Sequence, residues 1–251
     1  MDIIMESYTL YESDFLNLQS QFLVDYAELC ETGLVLESDQ LSLVDKLKSF
    51  ITSLVRGMEN FLSKLALETG AKISTDAAKK KLKSLRDEIK NDPEASKKTY
   101  KVPDFSKMSS LVKEANSQLS TYVDRLIKNN YKYSKDIEED LYNAQIAIDN
   151  LEKKFDDIME SKKELSANEF LKYYDNMVTG RNNPAEMLKK EISIFGELSS
   201  SVNSIGGQYK ALGPEILKKK TTAIQRLTSR ISSFFRKIIA KFISTIVFLF
   251  A

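Results

Sequence analysis

Histidine is absent from all 251 positions. Without it a Ser or Cys nucleophile lacks its usual general base. The one cysteine, Cys30, stands between Glu28 and Glu31, and neighbouring carboxylates disfavour the reactive thiolate. A lone cysteine also forms no intrachain disulfide, so nothing points to an oxidising compartment. Metal binding would have to be all-carboxylate, since the Glu-x-x-His pairs of helical di-iron centres cannot be written without His. No Asp-rich, glycine-centred calcium loop occurs, and Gly206-Gly207 follows a helical pattern where a phosphate loop would follow a strand. The acidic runs Glu138-Glu139-Asp140 and Asp156-Asp157 fall on outward heptad positions, where solvation accounts for them. The expectation is a protein with no catalytic residues, no metal site and no cofactor.

The residues that invite a partner are cationic and aromatic. After Glu215 no acid occurs, and Lys218, Lys219, Lys220, Arg226, Arg230, Arg236, Lys237 and Lys241 share the segment with Ile231, Phe234, Phe235, Ile238, Phe242 and Ile246 at helical spacing. Basic residues beside a Phe/Ile stripe describe a helix that lies in an anionic membrane surface. The uncharged run 242–251 is too short to span, since about 20 apolar residues are needed. The same cations would neutralise nucleic-acid phosphates without sequence preference, but the apolar face exceeds what that needs. Packing into a helical core, with Lys and Arg reaching outward along their alkyl stems, is the third reading. The terminal Ile246-Val247-Phe248-Leu249-Phe250-Ala251 needs something to bury against. Deleting 231–251 is therefore expected to give a more soluble, less assembled protein whose heptad region stays helical.

Charge is unevenly placed along the chain. Residues 1–45 carry ten acids and no base, whereas the whole chain has a net charge of +1. Opposite ends of this kind attract each other within or between copies, or address different partners. The first residues, Met1-Asp2-Ile3-Ile4-Met5-Glu6, lack the basic start and apolar core of a secretory signal, so a cytoplasmic protein is expected, with membrane association as the alternative.

The elements that must position these residues read as helices throughout. Only 8 Gly and 4 Pro interrupt the chain, which disfavours the frequent turns of a sandwich or barrel. An acidic arm precedes an amphipathic helix with Phe15, Leu18, Phe22, Tyr26 and Leu29, ending at Gly33. A second helix, Leu41–Leu67, carries Val44, Leu47, Ile51, Leu54, Val55, Met58, Phe61 and Leu62 and stops near Gly70; a basic helix over 77–90 follows. Residues 92–106, with Pro93 and Pro103, read as a linker. Two heptad seams come next: Met108, Val112, Ala115, Leu119, Tyr122, Leu126, and then Ile137, Leu141, Ala144, Ile148, Leu151, Phe155, Ile158. Asn129-Asn130 and a Ser134 cap favour an antiparallel α-hairpin; one continuous helix is the alternative. Ser166-Ala167-Asn168-Glu169 fits a capping box, and Asn183-Pro184 opens a helix carrying Leu188, Phe195, Leu198, Val202 and Ile205 to Gly206. The fold class is all-α with no strand: an elongated bundle with a central hairpin and amphipathic terminal helices. It divides into an arm and helical region (1–91), linker (92–106), bundle (107–206) and basic tail helix (214–251).

Stretches such as Asp45-Lys46-Leu47-Lys48-Ser49-Phe50-Ile51-Thr52-Ser53-Leu54 and Arg230-Ile231-Ser232-Ser233-Phe234-Phe235-Arg236-Lys237-Ile238-Ile239 resemble helical internal or prohead-core proteins of large tailed bacteriophages. The acidic start Glu6-Ser7-Tyr8-Thr9-Leu10-Tyr11-Glu12-Ser13 is similar in kind. The resemblance implies a virion-internal or scaffold component in a host cytoplasm. Five Leu/Ile-x-Glu triplets match the head-protease pattern of such proteins, but about four are expected from composition, so no cleavage site is assigned. The function expected is non-enzymatic assembly with copies of itself or other structural proteins. Peripheral membrane binding through the tail is the alternative.

Overall fold

The computed structural model describes residues 37–73, 76–103, 106–178, 184–209 and 212–250. Among these, nine helices and two short strands follow in the order α1 (Glu37–Ile73), α2 (Asp76–Asn91), α3 (Pro93–Lys97), β1 (Thr99–Pro103), α4 (Ser106–Lys128), α5 (Ser134–Glu160), β2 (Lys162–Ser166), α6 (Ala167–Val178), α7 (Pro184–Glu191), α8 (Ile194–Gln208) and α9 (Pro214–Phe250). The protein is mostly helical. The helix expected over residues 13–33 lies outside the described residues.

α1 runs through Gly70, where a stop was expected, and the Thr69 hydroxyl donates back to the Leu65 carbonyl at 2.6 Å. Its inner face buries Leu47, Ile51, Leu54, Met58, Phe61 and Leu62. Glu114 of α4 pairs with Lys154 of α5, and Arg125 of α4 faces Asp140 of α5 at 3.8 Å. As one number rises while the other falls, the two helices run in opposite directions. The chain leaves the helix over 129–133; Tyr133 makes no side-chain capping bond, so Ser134 is the first helical residue and not a cap.

The expectation of no strand is corrected. The supposed linker holds α3 and then β1, which pairs antiparallel with β2 in the register Tyr100↔Leu165 and Val102↔Lys163. Thr99, Tyr100 and Val102 suit an extended pleat, but Lys-Lys-Glu-Leu-Ser in β2 has no such preference. Its conformation comes from pairing and from burial of Leu165. The Tyr100 and Phe170 rings stack at 4.3 Å between centroids, fastening the ribbon to α6. Asp92 caps α3, its Oδ1 accepting from the Glu94 amide at 2.8 Å.

The capping box at Ser166 is present. Ser166 donates from its amide and hydroxyl to the Glu169 carboxylate, at 2.9 and 2.8 Å, and accepts from the Glu169 amide at 3.4 Å. These bonds hold the Glu169 carboxyl below the usual carboxylate range.

The single helix expected from Asn183 to Gly206 is broken at Ile192-Ser193. Asn116 of α4 explains the break: its side-chain amide donates to the Glu191 carbonyl at 2.6 Å and its oxygen accepts the Ile194 amide at 3.3 Å. One side chain thus substitutes for the helical bonds missing between α7 and α8. The Gly206-Gly207 pair lies in the last turn of α8, close to the expected stop.

One continuous apolar cluster reaches from Leu43 to Ile243. α9 lies within it and packs on α1, α4, α5 and α7.

Candidate functional site

The tail helix α9 carries every residue expected to meet a partner, and the structure divides them into three rows. Ile231, Phe234, Phe235, Ile238 and Phe242 form the first, all of them buried against the rest of the chain. Phe235 meets Phe234 and Phe195 edge-on, at centroid distances of 5.1 and 5.8 Å. The stripe therefore finds its cover within its own chain. Ile246 belongs to the last turns of the same helix, and its side chain lies outside the described ones.

The second row is the outward one. Lys219 pairs with Glu138 at 3.0 Å, Arg230 with Asp149 at 2.6 Å, Lys237 with Glu152 at 3.0 Å and Lys241 with Asp156 at 2.8 Å. Residue numbers rise together along both helices, so α9 and α5 run parallel with a seam of ion pairs between them. All four pairs are at least partly exposed, and pairs of that kind contribute only about 0–1 kcal/mol each. The seam fixes register more than it stabilises. Arg226, on the same face and exposed, has no ion pair among the described residues.

The third row is polar and buried. Gln225, Ser229, Ser232 and Arg236 recur at spacings of four, three and four, and each is less than a tenth exposed. The Ser229 and Ser232 hydroxyls have no hydrogen-bond partner among the described residues. The Arg236 Nε donates to the Ser232 carbonyl at 3.3 Å.

Lys220 departs from the basic face on which its neighbours sit. It is fully buried, donating to the Ile127 and Asn129 carbonyls at 2.9 Å each. These oxygens end α4, so the ammonium caps that helix from another element. The Tyr209 and Tyr131 rings lie 4.7 and 5.7 Å from it. Burial lowers the Lys220 pKa to about 8. Burial also raises the Tyr209 hydroxyl, and it raises the Tyr131 hydroxyl together with the bond to Asp140.

Comparison with protein-family models, with curated proteins and with solved structures found no match.

Elsewhere a surface groove of about 320 Å³ opens between α4 and α5, with Lys107, Glu114, Lys154 and Asp157 on its walls. Lys154 is bonded to Glu114 there, and Ser110 also lines the groove. Among the described residues no cluster of three or more acidic or cysteine side chains is arranged to hold a metal, and no helix is long and apolar enough to cross a membrane.

Sequence reasoning missed two features for which a signal exists. Lys220 precedes Ile224, Leu227, Ile231 and Phe234 at four, three, four and three, which puts it on the apolar stripe and not on the basic row. The acids of α5 at 138, 149, 152 and 156 share one helical face, matching the bases at 219, 230, 237 and 241; this is the spacing of a seam and not of two solvated rows.

Proposed function

We propose that the chain is a non-enzymatic assembly protein: an elongated helical bundle, with α4 and α5 as its central antiparallel hairpin, that associates through outer helix faces with copies of itself or with other structural proteins. The observation that carries this reading is a pair of large side chains left in water on α5. Tyr142 is 62% exposed and Ile146, one turn on, is 41% exposed. Tyrosine at an exposed, rigid helical position is what protein interfaces favour. The absence of His from the sequence supports the non-enzymatic part. The likeness to phage internal proteins is the ground for placing such an assembly inside a virion or its scaffold.

Sedimentation velocity over a concentration series tests it. Association should rise with concentration in the parent chain and be lost in Tyr142→Ser/Ile146→Ser, with helicity unchanged. A parent chain that stays monomeric at every concentration rejects the reading.

A further inference from the structure

The polar row buried on α9 is out of keeping with the core around it. Gln225, Ser229, Ser232 and Arg236 each exchange water for protein contact, and among the described residues the Ser229 and Ser232 hydroxyls receive no hydrogen bond in return. At 100° per residue this row lies beside the outward row of Arg226, Arg230, Lys237 and Lys241. From 225 to 237 the two rows make one polar side of the helix, which the buried Ile239 and Ile243 close toward its C-terminal end. The other side is Ile231, Phe234, Phe235, Ile238 and Phe242.

A helix that is apolar on one half, and polar with only basic charges on the other, suits the boundary between water and an anionic bilayer. No acid follows Glu215 to oppose such a surface, and α9 is not apolar enough to go further and span. We propose that this fold stores α9, and that contact with an anionic lipid surface draws the helix out so that it lies in the headgroup layer. Its Phe/Ile face then turns to the acyl chains and both polar rows turn to headgroups and water.

Each row of α9 finds a replacement partner at such a surface. Acyl chains replace the apolar contacts that the helix gives up. Lipid phosphates replace the α5 carboxylates along the seam, and water reaches Ser229 and Ser232. α1, α4 and α5 lose their cover in the process, so the change is global and its test requires the full chain.

The chain contains no Trp, which makes Phe242→Trp a single optical reporter at a buried position near the end of α9. The experiment uses vesicles of phosphatidylcholine alone, or of equal parts phosphatidylcholine and phosphatidylglycerol, with brominated acyl chains as quencher. The indole should be quenched only in the anionic vesicles. Adding Arg226→Gln removes a cation that makes no ion pair among the described residues, and should weaken binding about fivefold, the share of one basic residue near a charged surface. Adding Ser229→Ala and Ser232→Ala removes the unpartnered hydroxyls, stabilises the stored state and should lower the bound fraction. No binding, equal binding to neutral vesicles, or binding without quenching would each overturn the proposal. So would a bound fraction unaffected by the Ser→Ala pair, or retention on duplex DNA with no response to vesicles.

Discussion

The Lys220 ammonium sits 2.9 Å from the carbonyl oxygen of Ile127, ninety-three residues earlier in the chain. A cation from the start of α9 thereby closes the end of α4, so the two helices share a hydrogen bond that neither can make alone.

The depressed pKa of Lys220 sets the sign of one pH effect. Its folded value is about 8 against an ordinary 10.5, so between those values the unfolded chain binds more protons than the folded one. Stability should rise with pH over that window, by at most about 1.4 kcal/mol per unit. Tyr131, Tyr173, Tyr174 and Tyr209 are all raised, with burial the leading cause. Their contribution is present below the ordinary tyrosine value of 10.0 and is lost as pH climbs above it. Urea unfolding from pH 7 to 11 should therefore show a maximum near pH 10. Lys220→Met should flatten the rise and leave the fall; a rise that survives this substitution refutes the assignment.

Asn116 should behave as a structural clamp. Asn116→Ala leaves the Glu191 carbonyl and the Ile194 amide without their partner and should cost about 1–3 kcal/mol. Amide exchange should accelerate first around Ile194 at the α7–α8 break, ahead of the seam helices. Asn116→Asp should cost as much or more, because a carboxylate cannot donate to the Glu191 carbonyl.

The ion-pair seam should contribute little. Raising salt to about 1 M shortens the screening length to roughly 3 Å, and the four exposed pairs together should lose no more than about 4 kcal/mol. Glu152→Gln and Asp156→Asn should each lower stability by less than about 1 kcal/mol. Thermal melts in low and high salt measure this, and unfolding by salt alone would show that the seam carries the fold.

Helical class and the Ser166 capping box were legible because each is a local pattern. Apolar residues at three and four recur over many turns, and the box needs only four consecutive residues. The strand β2 was not legible: Lys162 to Ser166 has no extended preference of its own, and its partner strand lies about sixty residues away. The break at Ile192-Ser193 was hidden for the same reason, since the side chain that stabilises it belongs to α4. For the candidate site, helical spacing separates the apolar and basic faces of α9 but says nothing of their surroundings. Phe235 faces Phe195 and Lys237 faces Glu152 only because α9 enters the core, and periodicity within one helix cannot say what lies opposite it.

Entry of α9 into the core reverses the outcome expected for a truncated chain. On sequence alone, loss of residues 231–251 promised a more soluble protein with an intact heptad region. In the structure this deletion removes Ile231, Phe234, Phe235, Ile238, Ile239, Phe242 and Ile243, all buried. At about 1.5–3 kcal/mol for each large side chain, the loss is roughly 10–20 kcal/mol, as large as the whole stability of an ordinary domain. The shortened chain should lose cooperative unfolding and aggregate, with the faces of α1 and α5 that α9 covered now in water. A smaller step checks the same point without destroying the fold: Phe235→Ala should cost about 3–5 kcal/mol in urea unfolding. By contrast Ser233→Ala, at an exposed position on the same helix, should change stability by less than about 0.5 kcal/mol. If Phe235→Ala proved as mild as Ser233→Ala, α9 would not be packed in the core as described.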